Sequence, residues 1–281
     1  MSDKSEILVV IPDEDLPELA RMYKDCDEAP YVYTTILTGI HWKKLGKPTY
    51  TFTSPNNCWR EDGTVFIFIE FNLIDLHIYT LSNNYDNIYK GLKSTNRIKS
   101  GTKINFYSIH NSIAPTVRKF IKETNKTVPS DVTCSTYVLS IDKALKLDTS
   151  CPPETYVDRL KVDNTSQIND TWPFNYPNSD RYVLETIQNN DCFGLYLKES
   201  GELVAWALTH HMGILGLLYT EENHRKKGYG SIITKFLSKE MAGNGVRPIG
   251  NVVVGNRASE IMFERMGFKN IGTCDYIKVI F

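Results

Sequence analysis

The residues best suited to chemistry form one run, Arg225-Lys226-Lys227-Gly228-Tyr229-Gly230. It lies between an apolar stretch ending near Thr220 and a helical pattern carrying Ile232, Ile233, Phe236 and Leu237. A helix start leaves several backbone N–H groups without intrahelical partners and carries partial positive charge. Glycines let such a backbone approach an anion with no Cβ in the way. With three cationic side chains ahead of the glycines, amides and local charge together suit a pyrophosphate. The same hexamer also reads as a solvated basic run at the start of a surface helix. Two better-known phosphate loops do not fit. The chain has no Gly-x-x-x-x-Gly-Lys-Ser/Thr, and no three-glycine dinucleotide fingerprint followed by an acidic ribose ligand.

Other constellations are absent from the sequence. The six cysteines, Cys26, Cys58, Cys134, Cys151, Cys192 and Cys274, are scattered, with no Cys-x-x-Cys and no histidine pair at zinc-finger spacing. They read as reduced thiols of an intracellular compartment, and no metal site is expected. No Ser/His/Asp or Cys/His arrangement is readable from spacing. A formal net charge of -1 supplies no broad basic field, so no nucleic-acid partner is expected and any phosphate recognition must be local. No stretch approaches the about 18 uninterrupted apolar residues of a membrane span. Met1-Ser2-Asp3-Lys4-Ser5-Glu6 lacks the character of a signal or transit peptide, which makes the cytoplasm the expected location.

The elements that must position the glycine loop follow from periodicity. At 281 residues, with 41% hydrophobic and 23% charged residues, the chain can bury one large core or two ordinary ones. The first half alternates: helices over 16–23, 31–42, 84–94 and 115–123, and strands over 49–53, 64–71, 75–81, 103–109 and 133–139. The continuous apolarity of 64–71 predicts burial on both faces. Pro152-Pro153 stops any helix and sets a boundary near 147–153, giving domains over 1–150 and 151–281. The second half reads as helix 179–189, strands 193–197, 203–209 and 214–219, helix 229–242, strand 249–254, helix 257–266 and strand 268–280. That order predicts an α/β (α+β) fold in which a mixed central sheet is flanked by helices, with a ligand where neighbouring strands separate.

Leu218-Tyr219-Thr220-Glu221-Glu222-Asn223-His224-Arg225-Lys226-Lys227-Gly228-Tyr229-Gly230 resembles the acyl-coenzyme A motif of the Gcn5-related N-acyltransferase superfamily, Arg/Gln-x-x-Gly-x-Gly/Ala, with all three fixed positions matched. Further on, Asn256-Arg257-Ala258-Ser259-Glu260-Ile261-Met262-Phe263-Glu264-Arg265-Met266-Gly267-Phe268 looks like the second motif of that superfamily, an asparagine opening a helix that ends in Gly-Phe. The strand pair Gly201–Trp206 and Met212–Thr220 is similar to that of glycine N-acyltransferase-like proteins. The resemblance covers about residues 172–281. It implies acetyl-CoA or another acyl-CoA as co-substrate, and a small-molecule amine or amino acid as acceptor. It also implies a degenerate, acyltransferase-like half over 1–150, and admits a mitochondrial location.

Carried over, the resemblance implies that the backbone of Leu218, Tyr219 and Thr220 pairs with the pantetheine arm as an added strand. Arg225, Lys226, Lys227, Gly228, Tyr229, Gly230 and Ser231 would surround the pyrophosphate, and Asn256 would contact the arm. Asn256 equally suits plain helix N-capping. Trp206 reads as core rather than as acceptor-binding. Direct attack of an amine on the thioester needs an oxyanion donor, for which a strand N–H suffices, and a base. Two positions depart from the pattern. Ile214 stands where glycine N-acyltransferases carry a glutamate base, and Phe263 stands where many members carry a tyrosine that protonates the thiolate. The nearest replacement bases are His210 and His211 in the turn entering the strand, where a histidine is otherwise solvent-facing. The alternative to an enzyme is a non-catalytic acyl-CoA-binding protein that kept the fold.

Overall fold

A computed structural model of the protein describes residues 6–47, 49–71 and 73–281. The reading of the N-terminal hexapeptide therefore falls almost wholly outside the described residues. The chain divides into two compact units: the chain as far as Ser135 together with Gly272–Phe281, and Thr136–Ile271.

The first unit contains β1 (Leu8–Val10), α1 (Leu16–Tyr23), α2 (Pro30–Lys44), β2 (Tyr50–Pro55), α3 (Trp59–Asp62), β3 (Val65–Glu70), β4 (Ile74–Tyr79), α4 (Asp86–Ser94), β5 (Lys103–His110), α5 (Ala114–Thr124) and the start of β6 (Thr127–Val138). α1 forms where Leu16, Leu19, Ala20 and Tyr23 recur at helical spacing and are all buried. Val65–Ile69 of β3 are buried without interruption, as continuous apolarity requires of a strand covered on both faces. The strands run β1-β2-β3-β4-β5, followed by the C-terminal strand β12 (Lys269–Ile280). β4 and β5 are parallel at Ile74↔Ile104, Asp75↔Asn105 and Leu76↔Phe106, with α4 as the crossover that parallel strands need.

The second unit continues with α6 (Ile141–Leu145), β7 (Thr155–Arg159), α7 (Thr165–Thr171), α8 (Asp180–Asn189), β8 (Cys192–Leu197), β9 (Leu203–Thr209), β10 (Leu215–Thr220), α9 (Tyr229–Gly243), β11 (Ile249–Val253) and α10 (Arg257–Arg265). β7, β8, β9 and β10 pair antiparallel in turn, and β10 then pairs in parallel with β11 across α9. The antiparallel run leading into a strand–helix–strand crossover thus occurs once in each unit, giving a mixed sheet flanked by helices both times. Val204, Ala207, Ile233, Leu237 and Phe263 share the second core. The sequence did not foretell β1, α3, α6, β7 or α7.

Candidate active site

The site is built on β10, a strand with a defect. Opposite β9 its register is Leu215↔Thr209 and Gly216↔Leu208, then shifts to Tyr219↔Trp206 and Thr220↔Ala205, so β10 carries one extra residue. Leu217 absorbs it at φ +48, a conformation branched side chains seldom adopt. On its other side β10 pairs with β11 at Leu215↔Gly250. A bulge bends its strand, and beyond that pair β10 and β11 form a wedge. Leu215 at the closed end is buried, while residues 216–220 are only half-buried. A strand flank without a neighbour offers backbone groups to an added strand.

The wedge opens toward the glycine loop. After Thr220 the chain makes a single turn at Glu222–His224. Lys226 at φ +63 and Gly228 at φ +82 then curl it into α9. No side chain caps α9, whose N-cap is Gly228, and Ile232 N–H donates to the Gly228 carbonyl at 3.1 Å. The amides of Tyr229, Gly230 and Ser231 thus belong to the first turn, which has no intrahelical partners for them. A Cβ at Gly230 would lie 3.1 Å from Thr220 Oγ1, so this first turn rests closely on the strand end.

The cations are not equivalent. Arg225 Nε donates to the Thr220 carbonyl at 3.2 Å, and its guanidinium lies 5.4 Å from the centre of the Tyr219 ring. This folds Arg225 back along β10. Lys227 Nζ lies 3.4 Å from His224 Nδ1, and the His224 ring stacks with Tyr229. The Tyr229 hydroxyl donates to Glu154 Oε1 at 3.2 Å. Lys226 is exposed. The structure thus brings Leu218–Thr220 and Arg225–Ser231 into one continuous edge ending at an uncapped helix start.

Asn256 sits at the N-cap of α10, where its Oδ1 accepts from Ser259 N–H at 3.3 Å. That is the capping role weighed above, and it engages one side of the amide. Phe263 lies inside the core at 4% exposure, with Tyr137 at 5.6 Å and Phe268 at 4.7 Å between ring centres. Its ring covers Gly250, where a Cβ would fall 2.5 Å from Phe263 Cε1. Phe263→Tyr should therefore lower the melting temperature, because the new hydroxyl enters a packed apolar site at a cost of about 1–3 kcal/mol. An unchanged melting temperature would mean that the hydroxyl finds a polar partner at the edge of that site.

The histidines depart most from expectation. Both lie inside the protein, His210 at 5% and His211 at 1% exposure, rather than on a solvent-facing turn. His210 N–H donates to the Ile214 carbonyl and Gly213 N–H to the His210 carbonyl, closing a tight turn. The His210 ring then packs on Gly216, where a Cβ would lie 2.3 Å from Cδ2, and its Nδ1 accepts from Met212 N–H at 3.2 Å. His211 Nδ1 lies 3.1 Å from the Tyr182 hydroxyl. Burial pushes the His210 pKa down to about 3. That burial holds the imidazole in its neutral form at neutral pH.

A buried neutral histidine has a stability signature. The unfolded chain takes up a proton below about pH 6.5 and the folded one does not, so His210 costs stability increasingly as pH falls from about 6.5 toward about 3. His210→Ala, though less stable at pH 7, should lose less stability than the native protein between pH 7 and 4.5. Equal losses, measured from urea midpoints, would place His210 in contact with solvent.

Trp206 is buried and stacks on Tyr219 with centres 5.1 Å apart, which fits a core role, and Ile214 is fully buried. The sequence reading missed Gln167 on α7, whose Nε2 donates to Glu221 Oε1 at 2.7 Å and to the Leu203 carbonyl at 3.2 Å, tying down the end of β10. It missed Glu154 as well. Among the described residues no group of three or more His, Cys, Asp or Glu could hold a metal ion, and no helix is long and apolar enough to cross a membrane.

The first unit fills the corresponding place with its own atoms. Between β4 and α4 there is no glycine, and side chains cap the loop amides: Ser82 N–H donates to Thr80 Oγ1, Asn84 N–H to Ser82 Oγ, and Asp86 N–H to Asn84 Oδ1. Asp86 opens α4, and Asn87 in its first turn donates to Asp62 Oδ2 at 2.7 Å. The loop itself has no cation, and the first turn of α4 carries the carboxylate of Asp86 and meets that of Asp62.

Residues 192–277 match the family model described as FR47-like protein, and residues 7–120 match a domain of unknown function, DUF5645. No curated protein matches the sequence. Among solved structures, a Drosophila protein is 19% identical, covering 98% of this chain and 99% of that one at a TM-score of 0.90. A GCN5-related N-acetyltransferase from Sphaerobacter thermophilus is 12% identical over 98% and 95% of the two chains, at 0.58. A tandem GNAT protein from the clavulanic acid biosynthesis pathway is 7% identical over 97% of each chain, at 0.56. At these identities the likeness is one of fold. The chain accordingly has the fold of the Gcn5-related N-acetyltransferases in two successive halves, the second of which carries FR47-like sequence.

Proposed function

We propose that the second unit binds acetyl-CoA or another acyl-CoA and transfers the acyl group to the amine of a small molecule or amino acid, as a member of the glycine N-acyltransferase-like group acting in the cytoplasm. One observation carries the reading: the flank of β10 past Leu215↔Gly250 leads without interruption into an uncapped helix start preceded by three cations. Pantetheine carries amide groups that suit a strand edge, and pyrophosphate suits a helix N-terminus. Amides of Tyr229, Gly230 and Ser231, with Lys226 and Lys227, would hold the phosphates. Arg225 would keep the loop against β10, and Asn256 would meet the arm from the far side of the wedge.

In the reaction the amine nitrogen attacks the thioester carbonyl, the carbon–sulfur bond breaks, and the amine proton leaves with the thiolate as free thiol. A backbone N–H of residues 218–220 would stabilise the oxyanion, and the rate would come largely from positioning. With His210 buried and neutral, water would relay that proton from the nitrogen to the thiolate. The first unit, its loop amides already capped, would bind no coenzyme.

A binding protein without catalysis is the second reading, favoured by the apolar, buried Ile214 and Phe263 where the family's base and acid would stand. A panel of amines with acetyl-CoA, read by released thiol, separates the two. Thiol release that needs both protein and amine supports transfer. Tight coenzyme binding with no release across the panel supports the binding protein.

A further inference from the structure

The closed end of the wedge has a feature that bears on which acyl group fits. β10 runs from Leu215 to Thr220, so at about 3.3 Å per residue roughly 16 Å separate the pair Leu215↔Gly250 from the glycine loop. A coenzyme held by its pyrophosphate at that loop, with its arm along β10, points its thioester toward Leu215. The floor there is Gly250, and Phe263 lies directly on it: a Cβ at Gly250 would sit 2.5 Å from Cε1 and 2.8 Å from Cζ of the ring. Tyr137 and Phe268 pack against the ring, and Leu215 belongs to the same buried core, so the ring has little room to retreat.

We infer that Phe263, seated on Gly250, sets the acyl length: it stops the wedge just beyond the thioester and restricts the co-substrate to short acyl groups such as acetyl and propionyl. The inference rests on the coenzyme reading above and deepens it. Apolar pockets discriminate by steric exclusion, each methylene that does not fit being worth roughly 10-fold or more. An apolar ring also accounts for a phenylalanine here, since the surface it offers an acyl chain needs no hydroxyl.

Binding tests this without any acceptor. Calorimetry would compare CoA, acetyl-CoA and octanoyl-CoA on the native protein and on Phe263→Ala, with Phe263→Leu in its place if the alanine variant does not fold. The native protein should bind acetyl-CoA about as tightly as CoA and octanoyl-CoA at least about 10-fold more weakly. In the variant that penalty should shrink to about 3-fold or less, with CoA affinity unchanged. Octanoyl-CoA binding the native protein as tightly as acetyl-CoA would overturn the inference, as would an undiminished penalty in a folded variant. Failure of CoA itself to bind the native protein would instead bring down the coenzyme reading, and this inference with it.

Discussion

Gly228→Asp should abolish coenzyme binding and leave the protein folded. Gly228 is the N-cap of α9 at φ +82, and a Cβ added there meets nothing within 4 Å. Aspartate tolerates the left-handed region better than most residues and is among the preferred N-caps, so the fold should lose no more than about 1 kcal/mol. Binding is another matter. Like charges about 4 Å apart near a protein surface repel by about 4 kcal/mol, and the new carboxylate also takes up the helix-start amides itself. The expected loss is on the order of 100- to 1000-fold. Gly228→Asn, with the same shape and no charge, should lose far less. CoA binding to a folded Gly228→Asp with native affinity would remove the loop from the coenzyme site.

Deleting Cys274–Phe281 should unfold the first unit, although these residues lie at the opposite end of the sequence from the rest of it. Ile277, Val279 and Phe281 are buried, and Phe281 packs against Phe106 and Phe120. The strand pairs with β5 from Cys274↔His110 to Ile280↔Lys103. Asp275 accepts from Arg118 and from Thr133 Oγ1 at 2.8 Å each. Three large apolar side chains at about 1.5–3 kcal/mol apiece amount to roughly 5–9 kcal/mol, comparable with the about 5–15 kcal/mol that holds a whole domain together. Hydrogen-exchange protection along β3 and β5 should collapse in the truncated chain. Intact protection there would mean that the last strand is dispensable.

That returning strand is also where the sequence is least legible. Its apolar alternation announces a strand over 268–280, but which strand it pairs with is a long-range fact that no local pattern encodes. By contrast α1 and β9 stand at the boundaries read from periodicity, because each carries a repeat of buried residues strong enough to fix its ends. α7 was invisible because Ile168 is its only buried residue. The glycine loop was legible because its ingredients are local: glycines, cations and the start of a helix. The histidines misled because whether a turn side chain faces in or out depends on what lies opposite, and Gly216, which makes room for His210, is six residues away. The bulge at Leu217 runs against leucine's own backbone preference, so only the register of the sheet reveals it.

Gly216 and Gly250 lie on neighbouring strands, and each is roofed by an aromatic ring. Neither needs glycine for its backbone, which separates them from Gly46, Gly101 and Gly245, where φ is positive and the surroundings are open. In a saturation library the two kinds would sort differently. Asparagine should survive at the open turns because it enters the left-handed region at little cost. At 216 and 250 even alanine should be purged, because the smallest side chain already overlaps a ring that cannot move. Two positions with no reactive group of their own would then score as strictly as catalytic ones, and a mutational map of this protein would mark the roofs of the sheet as readily as its chemistry.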